Sequence, residues 1–307
     1  MKVLVTGGTG FVGTNLIKKL LNDGHKVISV DNYSTGVKEN EQKGCQYYNY
    51  DIASDHTLGI YVDHGTYPSW RELDFDIVYH MAALARIQPS LEHPVSHIKN
   101  NFNSTLHILE LSRQKDIPVV YAGSSSVHCG LYGSPYAWSK YGGEQLCLLY
   151  NSVYDLNTAI CRFYNVYGPH QILDSEYAAV VGIWVNQYKN NETLTITDDG
   201  EQRRDFTHVD DIVDGLVKCG DGLLGEGSSV ISGEIFELGR GINHSMNEVV
   251  DMFGKDYPRK YIPAREGEYP VTLCEDTKAH ELLGWKPTRD MEDYIKDFVE
   301  TERFLSE

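Results

Sequence analysis

Three side chains near the middle of this 307-residue chain have the types and spacing to move a proton. Tyr136 and Lys140 stand at i and i+4, directly after Ser134-Pro135, a pair that reads as a helix N-cap and its first helical residue. On a helix this spacing puts the phenol and the ammonium one above the other on the same face. A free phenol, with a pKa of about 10, is a poor base at neutral pH. A neighbouring positive charge favours the phenolate and brings it toward a useful range. Ser124, at the end of an apolar run before Tyr136, adds a hydroxyl that could bridge a substrate oxygen to that base. Tyr-x-x-x-Lys also recurs in helices without catalytic meaning, so the rest of the chain must say what these residues serve.

A second constellation lies at the N-terminus. Lys2–Thr6 reads as a buried strand, followed by Gly7-Gly8-Thr9-Gly10-Phe11-Val12-Gly13 and a helix over Asn15–Asn22. Gly7 and Gly10 would let the backbone turn tightly against a pyrophosphate, and Gly13 would let the helix lie close to the strand. The helix N-terminus, entered through Phe11 and Val12, would turn free N–H groups and the positive end of its dipole toward the phosphates. The spacing is Gly-x-x-Gly-x-x-Gly, not the commoner Gly-x-Gly-x-x-Gly. Asp31 closes the next apolar run, where a carboxylate would accept hydrogen bonds from an adenosine ribose. It would repel a 2′-phosphate, so the expected cofactor is NAD and not NADP. Asp51-Ile52, after the Gln46–Tyr50 run, falls where an adenine contact would form or where a plain turn would serve.

Apolar runs at Lys2–Thr6, Val27–Val30, Ile77–Met81, Val119–Ala122 and Thr158–Arg162 alternate with helical patterns. This predicts an α/β fold, a doubly wound parallel sheet of Rossmann type covered on both faces. Ligands of such sheets bind beyond the strand C-termini, which is where Gly7, Asp31, Ala82-Ala83, Ser124 and Tyr164-Asn165 fall. After Pro169 the pattern loosens into loops, a Tyr177–Asn190 helix and a Thr193–Thr197 strand. Residues 1–170 are therefore expected to form the cofactor domain and 171–307 a smaller C-terminal substrate-binding lobe, with about 205–218 and 233–240 returning to the sheet. Gly220–Gly233 reads as a glycine- and serine-rich loop, and Ser54–Leu73 takes no assignment.

The balance of 27 basic against 44 acidic residues, a net charge of −17, speaks against nucleic acid or an anionic membrane as partner. No apolar run approaches the ~18 residues of a membrane span. The chain opens on a strand without a basic and apolar signal segment, so a cytoplasmic protein is expected. Cys45, Cys129, Cys147, Cys161, Cys219 and Cys274 show no paired metal spacing and read as reduced core thiols, with no metal site expected. In so acidic a chain, an anionic substrate has to be held by a few placed arginines. The guanidinium fork of Arg204 suits a phosphate, and the adjacent Asp205 could orient it, whereas Arg203 reads as a solvated surface charge.

With these motifs together, the chain resembles the extended short-chain dehydrogenase/reductases acting on nucleotide sugars, and among them the UDP-hexose 4-epimerases. The likeness runs through nearly the whole chain. Its landmarks are Thr6–Gly13, Asp31-Asn32, His80-Met81-Ala82-Ala83, Asn101 with Thr105, Ser124–Val127, Tyr136–Lys140, Arg162–Pro169, Arg204–Val209 and Leu283–Pro287. The resemblance implies an NAD site that includes Gly7, Gly10, Phe11, Val12, Asp31, Asn32, Asp51, Ile52, Met81, Ala82, Ala83, Asn101 and Tyr164. It implies that Ser124 is the catalytic serine, Tyr136 the base, and Lys140 a contact to the nicotinamide ribose. Ser125 would touch the substrate, Asn165, Arg204 and Arg265 would hold its diphosphate, and the strand around Thr195 would border the nucleobase. The implied activity is NAD-dependent 4-epimerisation of a UDP-hexose or UDP-N-acetylhexosamine through a transient 4-keto sugar.

Two other activities are open on the same fold. Relatives that eliminate water carry an Asp-Glu pair after the catalytic hydroxyl residue, and decarboxylases place a Glu there, whereas Ser125-Ser126 follow Ser124 here. A non-catalytic NAD-binding protein is the third reading, although such proteins commonly lose the Tyr/Lys pair. The stretch between Ser124 and Tyr136 is about half the length usual in relatives, so the sugar pocket is expected to be more open. Within it His128 is either an added acid/base group or a structural replacement for the usual tyrosine. In the resembling epimerases the residue matching Thr272 limits pocket size. A threonine there would admit a 2-acetamido group, unless Thr272 only packs in a strand. The resemblance also implies a homodimer, with the Tyr136 helix and the Ser96–Lys115 helix forming a four-helix bundle across a two-fold axis. Ile98, Phe102, Leu106, Leu109, Leu146, Leu149 and Val153 would supply the contact, or would serve as ordinary core.

Overall fold

The computed structural model describes residues 1–54, 69–265, 267 and 269–306. Residues 55–68 of the unassigned Ser54–Leu73 segment lie outside the described residues, as do Glu266 and Glu268, next to Arg265.

The first half alternates strand and helix as the apolar runs demand. In chain order it comprises β1 (Lys2–Thr6), α1 (Phe11–Asn22), β2 (Lys26–Asp31), β3 (Gln46–Asn49), β4 (Ile77–His80), α2 (Ile87–Glu92), α3 (Pro94–Lys115), β5 (Val119–Ser124), α4 (Pro135–Tyr154) and β6 (Thr158–Phe163). The second half supplies β7 (Val166–Tyr167), α5 (Val180–Lys189), β8 (Leu194–Thr197), β9 (Arg203–Asp205), β10 (Thr207–His208), α6 (Val209–Leu224) and α7 (Ser228–Ile231). Then follow β11 (Ile235–Leu238), β12 (Asn243–Ser245), α8 (Met246–Met252), β13 (Arg259–Ile262), α9 (Lys278–Leu283) and α10 (Met291–Ser306).

Seven strands form one parallel sheet in the order β11-β6-β5-β4-β1-β2-β3. Each central strand is buried on both faces, which is why it reads as a continuous apolar run. Along β1, Val3 and Val5 enter the core shared with α1 and α6, while Leu4 enters the opposite core under α3 and α4. The order reverses between β1 and β4, and the crevice at that switch point is where a ligand fits such a sheet. A third core, around Trp184, Phe206 and Phe253, holds α5, β8, α8 and α10 together as the lobe.

Helix α1 begins at Phe11, four residues before the expected start, because Gly10 already takes the extended conformation of an N-cap. Within Gly220–Gly233 the chain is helical to Leu224 and again over Ser228–Ile231, with turns between and after, and not one continuous loop. The spacing of Val209, Ile212, Val213, Leu216, Cys219 and Leu223, all in the core, carries α6 through to Leu224, and α7 follows. Strand β11 completes the sheet edge beside β6. Ala279 of α9 and the following Trp285 also pack in the core of the sheet, a return that composition alone did not signal.

Candidate active site

A cavity of about 480 Å3 opens over the C-terminal ends of the parallel strands and is lined from both halves of the chain. The cofactor side is built first from backbone. Gly7 sits at φ +69°, in the left-handed region, and a side chain at Gly13 would overlap the Gly7 carbonyl, so the turn and the helix can lie this close only with glycine. Gly10 caps α1 without a side-chain acceptor, which leaves the first N–H groups of the helix for an anion. Asp31, buried at the end of β2, accepts from the Thr9 N–H (2.9 Å) and the Tyr33 N–H (2.8 Å). Each carboxylate oxygen keeps a lone pair for a ribose hydroxyl. Asn32, Asp51, Ile52, Met81, Ala82 and Ala83 line the same space, and Asp51 also accepts from the Ala53 N–H (3.0 Å), so its turn role and its position in the cavity coexist. This cradle fits a dinucleotide.

The proton-transfer group stands where β5 and α4 meet. Ser134 accepts from the Ala137 N–H (3.1 Å) and Pro135 opens the helix, as the sequence predicts. The Tyr136 N–H is anchored on the Ser90 hydroxyl (3.2 Å). Ser124, Ser125, Tyr136 and Lys140 all line the cavity. Burial raises the Tyr136 pKa above its ordinary value, with the Ser124 hydroxyl and the Arg86 guanidinium acting against it. Lys140 Nζ stands over the Tyr121 ring, 4.5 Å from the centroid. Burial brings Lys140 itself down to about 8, while Glu144, one turn further along α4, opposes the drop. His80, on β4, is a tether: its ring nitrogens pair with Thr6 (2.7 Å) and Thr105 (3.2 Å), and burial pulls it down to about 3, keeping it neutral.

Two expected cofactor contacts do not line the cavity. The Asn101 amide accepts from the Leu84 N–H (2.8 Å) and donates to the Leu84 carbonyl (3.0 Å) and the Ser139 hydroxyl (2.9 Å). It is buried and saturated within the protein, locking the turn after β4 onto α3 and α4. Tyr164 is buried too, with its hydroxyl turned to Glu237.

On the lobe side Asn165, Thr195, Arg204, Arg265 and Thr272 line the cavity. Asn165 donates to the Asp205 carbonyl (2.9 Å) and to Thr272 Oγ1 (3.2 Å), so its amide protons are spent within the protein. Asp205 does not orient Arg204. Its buried carboxylate gathers the N–H groups of Arg240 (2.9 Å), Gly241 (2.8 Å) and Cys274 (3.0 Å), from two separate stretches of backbone. Arg203 is no free surface charge: it forks onto Glu248 (3.1 and 2.9 Å) and Asn243 (2.8 and 2.9 Å).

His128 takes the structural role of its two readings. Its Nε2 lies 2.7 Å from Glu237 Oε1, and it does not line the cavity. Arg162 donates to the same Glu237 oxygen (2.9 Å) and forks onto Glu144 (3.0 and 2.7 Å), so a row of ionisable side chains leads inward from His128 at the surface to Glu144, one turn along α4 from Lys140. The short loop is not simply open. Gly130, at φ +87°, has the Tyr269 hydroxyl where a side chain would be, so Tyr269 closes over the loop and joins the cavity wall.

Sequence reading missed Arg86 and Glu144. Arg86 lines the cavity, and Glu144 pairs with Arg162 beneath it. Glu144 did carry a signal, an acidic residue at i+4 from Lys140 on a buried helix face. Arg86 carried another, a lone cation in an otherwise small and apolar segment at the end of β4.

Comparison with known proteins agrees with this geometry. A putative UDP-glucose 4-epimerase of Methanocaldococcus jannaschii is 33% identical, over 97% of both chains. A UDP-glucuronate 4-epimerase of Thermodesulfobacterium geofontis is 31% identical, over 96% of this chain and 94% of that one. The crystal structure of the UDP-glucose 4-epimerase of Thermotoga maritima with UDP-glucose superposes with a TM-score of 0.86 at 28% identity, over the full length of both. The model of the NAD-dependent epimerase/dehydratase family matches residues 3–238. The cradle, the Ser124–Tyr136–Lys140 group and these likenesses together make the chain a member of the NAD-dependent epimerase/dehydratase family, with NAD as its cofactor.

Proposed function

We propose that this protein interconverts the 4-epimers of a UDP-hexose or UDP-N-acetylhexosamine through a transient 4-keto sugar. The observation that carries the reading is the composition of the reacting end of the cavity. Ser124, Tyr136 and Lys140 are present, and Ser125 and Ser126 stand where elimination or decarboxylation would require a carboxyl group. NAD held at Gly7, Gly10, Asp31 and Asn32 supplies reversible hydride transfer at the sugar carbon. Tyr136, whose pKa is raised by burial and pulled down by the Ser124 hydroxyl and the Arg86 guanidinium, must be in its phenolate form to take the sugar hydroxyl proton through Ser124. It returns that proton to the keto oxygen when the carbon is reduced on its other face. Lys140 holds a positive charge below the reacting groups, steadied by Glu144. Arg204 and Arg265 support the diphosphate, and the Thr195 strand borders the base. Residues 1–170 carry the cofactor and 171–307 most of the substrate wall. The test is incubation of the NAD-loaded protein with UDP-glucose and UDP-N-acetylglucosamine, followed by NMR. The 4-epimers are expected, and a keto-deoxy or decarboxylated product would replace this reading with the dehydratase or decarboxylase alternative.

The protein is further read as a homodimer through α3 and α4. Leu109 belongs to the core, but Trp138, Leu149 and Val153 are exposed along one stripe of α4, and Phe102 of α3 stacks on Trp138. A monomeric mass by light scattering at micromolar concentration would sink it. Six free cysteines, with the Cys161 and Cys219 sulfurs only 3.3 Å apart, support residence in the reducing cytoplasm.

A further inference from the structure

The relatives do not decide the sugar, since one is named for a neutral hexose and another for a hexuronate. The cavity wall holds an observation that bears on it. Arg86 lies in the turn after β4 at φ +85°, a conformation unfavourable for a long side chain and found where surrounding structure enforces it. Its Nε donates to the Tyr177 carbonyl (3.0 Å), which fixes the plane of the guanidinium. Its two terminal NH2 groups have no hydrogen-bond or carboxylate partner among the described residues, although the side chain is half-buried in the cavity wall. Glu176, an acidic residue on the same wall next to Tyr177, lies instead with Glu92 and His93.

A buried guanidinium without a counter-ion is costly, and proteins resolve this by pairing it. Tyr136, whose pKa burial raises, is no permanent counter-ion for it. The diphosphate has Arg204 and Arg265 on the lobe side, whereas Arg86, in the turn after β4, shares the cofactor-side wall with Ser124 and Tyr136, which places it by the ring whose C4 reacts. Aimed there, a rigid fork of donors matches a planar anion.

We propose that Arg86 is a specificity-determining residue that reads a carboxylate carried by the sugar, so that the preferred substrates are acidic UDP-sugars. The inference rests on the epimerase reading for the position of the sugar, but it can be tested apart from turnover. Two sources offer this chemistry, a C6 carboxylate as in a hexuronate and a lactyl carboxylate on C3 as in a muramate.

Titration calorimetry on the NAD-loaded enzyme would compare UDP-glucuronate with UDP-glucose, and UDP-N-acetylmuramate with UDP-N-acetylglucosamine. One acidic sugar is expected to bind at least about tenfold more tightly than its neutral counterpart, and which pair shows it identifies the carboxylate. Arg86→Gln should erase that preference, and Arg86→Lys, which keeps the charge but not the fork, should retain only part of it. Equal binding of acidic and neutral sugars by the native protein overturns the proposal, as does a preference that survives in Arg86→Gln. Should Arg86→Gln not fold, Arg86→Lys decides by the same ratio. If the binding preference appears but no 4-epimer forms, the carboxylate reading stands and the epimerase reading fails.

Discussion

The wall on the cofactor side of the cavity is made of backbone lying close to its own motif, whereas the lobe-side wall is made of side chains tied across long stretches of chain. Gly7, Gly10, Gly13 and Asp31 lie within 25 residues and act through a left-handed turn, a bare helix N-terminus and one carboxylate on neighbouring N–H groups. On the other wall Thr272 is joined to Asn165, and Asp205 to Arg240, Gly241 and Cys274, partners separated by 35 to 107 positions. The first wall is a local device and the second a consequence of the whole fold. Errors in the second must therefore show as loss of structure as well as of binding.

The largest effect separates both walls from the chemistry between them. Tyr136→Phe should lower turnover by about 10³-fold or more, because the proton then has no acceptor. NAD should stay bound and thermal unfolding should barely change, since the phenol hydroxyl is not part of the packing that holds α4. Near-native epimerisation by this variant would show that the assignment of roles is wrong.

This contrast explains what could be read in advance. The parallel sheet, the glycine turn and the helix start at Ser134-Pro135 follow from local pattern, and the structure has them within a few residues. The tether Asn101 makes could not be read in advance, because its amide bonds Leu84 and Ser139, partners brought near only by folding. Asp205 and Arg203 were misread for the same reason: one gathers three distant N–H groups, and the other forks onto Glu248, 45 positions away. In Gly220–Gly233 glycine and serine content suggested a loop, but the period of buried residues along α6 prevails over composition. His128 became legible only once Glu237 had come back to the sheet edge as part of β11.

Two carboxylates, one on each wall, sharpen the comparison. Asp31→Asn should weaken NAD binding about 10- to 100-fold, through loss of charge-assisted hydrogen bonds, and leave unfolding temperature nearly unchanged. Asp205→Asn presents an amide donor to a nest of N–H donors and should cost about 3 kcal/mol or more of stability, seen as a drop of several degrees or more in Tm. Its substrate affinity should fall before its NAD affinity does. If both variants lose NAD and stability in parallel, the two walls are one cooperative unit and the distinction between them collapses.

The charge row beneath the site belongs to neither wall, and pH reads it. Lys140, brought down to about 8 by burial, loses its proton as pH rises through that value. Activity should therefore decline on the alkaline side around pH 8 while the ammonium is lost. Burial raises Glu144, against the pull of Arg162 and Lys140, and its charge in turn raises Lys140. Glu144→Gln should thus move the alkaline limb of kcat/KM to lower pH. A limb that stays in place would show that Lys140 does not set it.

The smallest expected effect tests whether a residue of the lobe-side wall can select a sugar without unmaking that wall. Thr272 lies in a ladder beside β9, its N–H donating to the Arg203 carbonyl (3.0 Å) and its carbonyl accepting from the Asp205 N–H (3.1 Å). Its hydroxyl accepts from Asn165 (3.2 Å) and the Asp205 N–H (3.2 Å), and the residue also lines the cavity. Strand packing and pocket lining are thus both present, and the two must be separated by experiment. Thr272→Tyr adds a ring to the cavity and removes the tether to Asn165. Thr272→Val removes the tether at nearly constant volume. If volume gates the sugar, Thr272→Tyr should depress kcat/KM for UDP-N-acetylglucosamine about tenfold more than for UDP-glucose, because overfilling excludes the larger ligand first. Thr272→Val should then lower both substrates alike and modestly. Equal losses on the two sugars in Thr272→Tyr, matching those in Thr272→Val, would assign Thr272 to the Asn165 tether and leave the size of the pocket to Tyr269 and the short loop it covers.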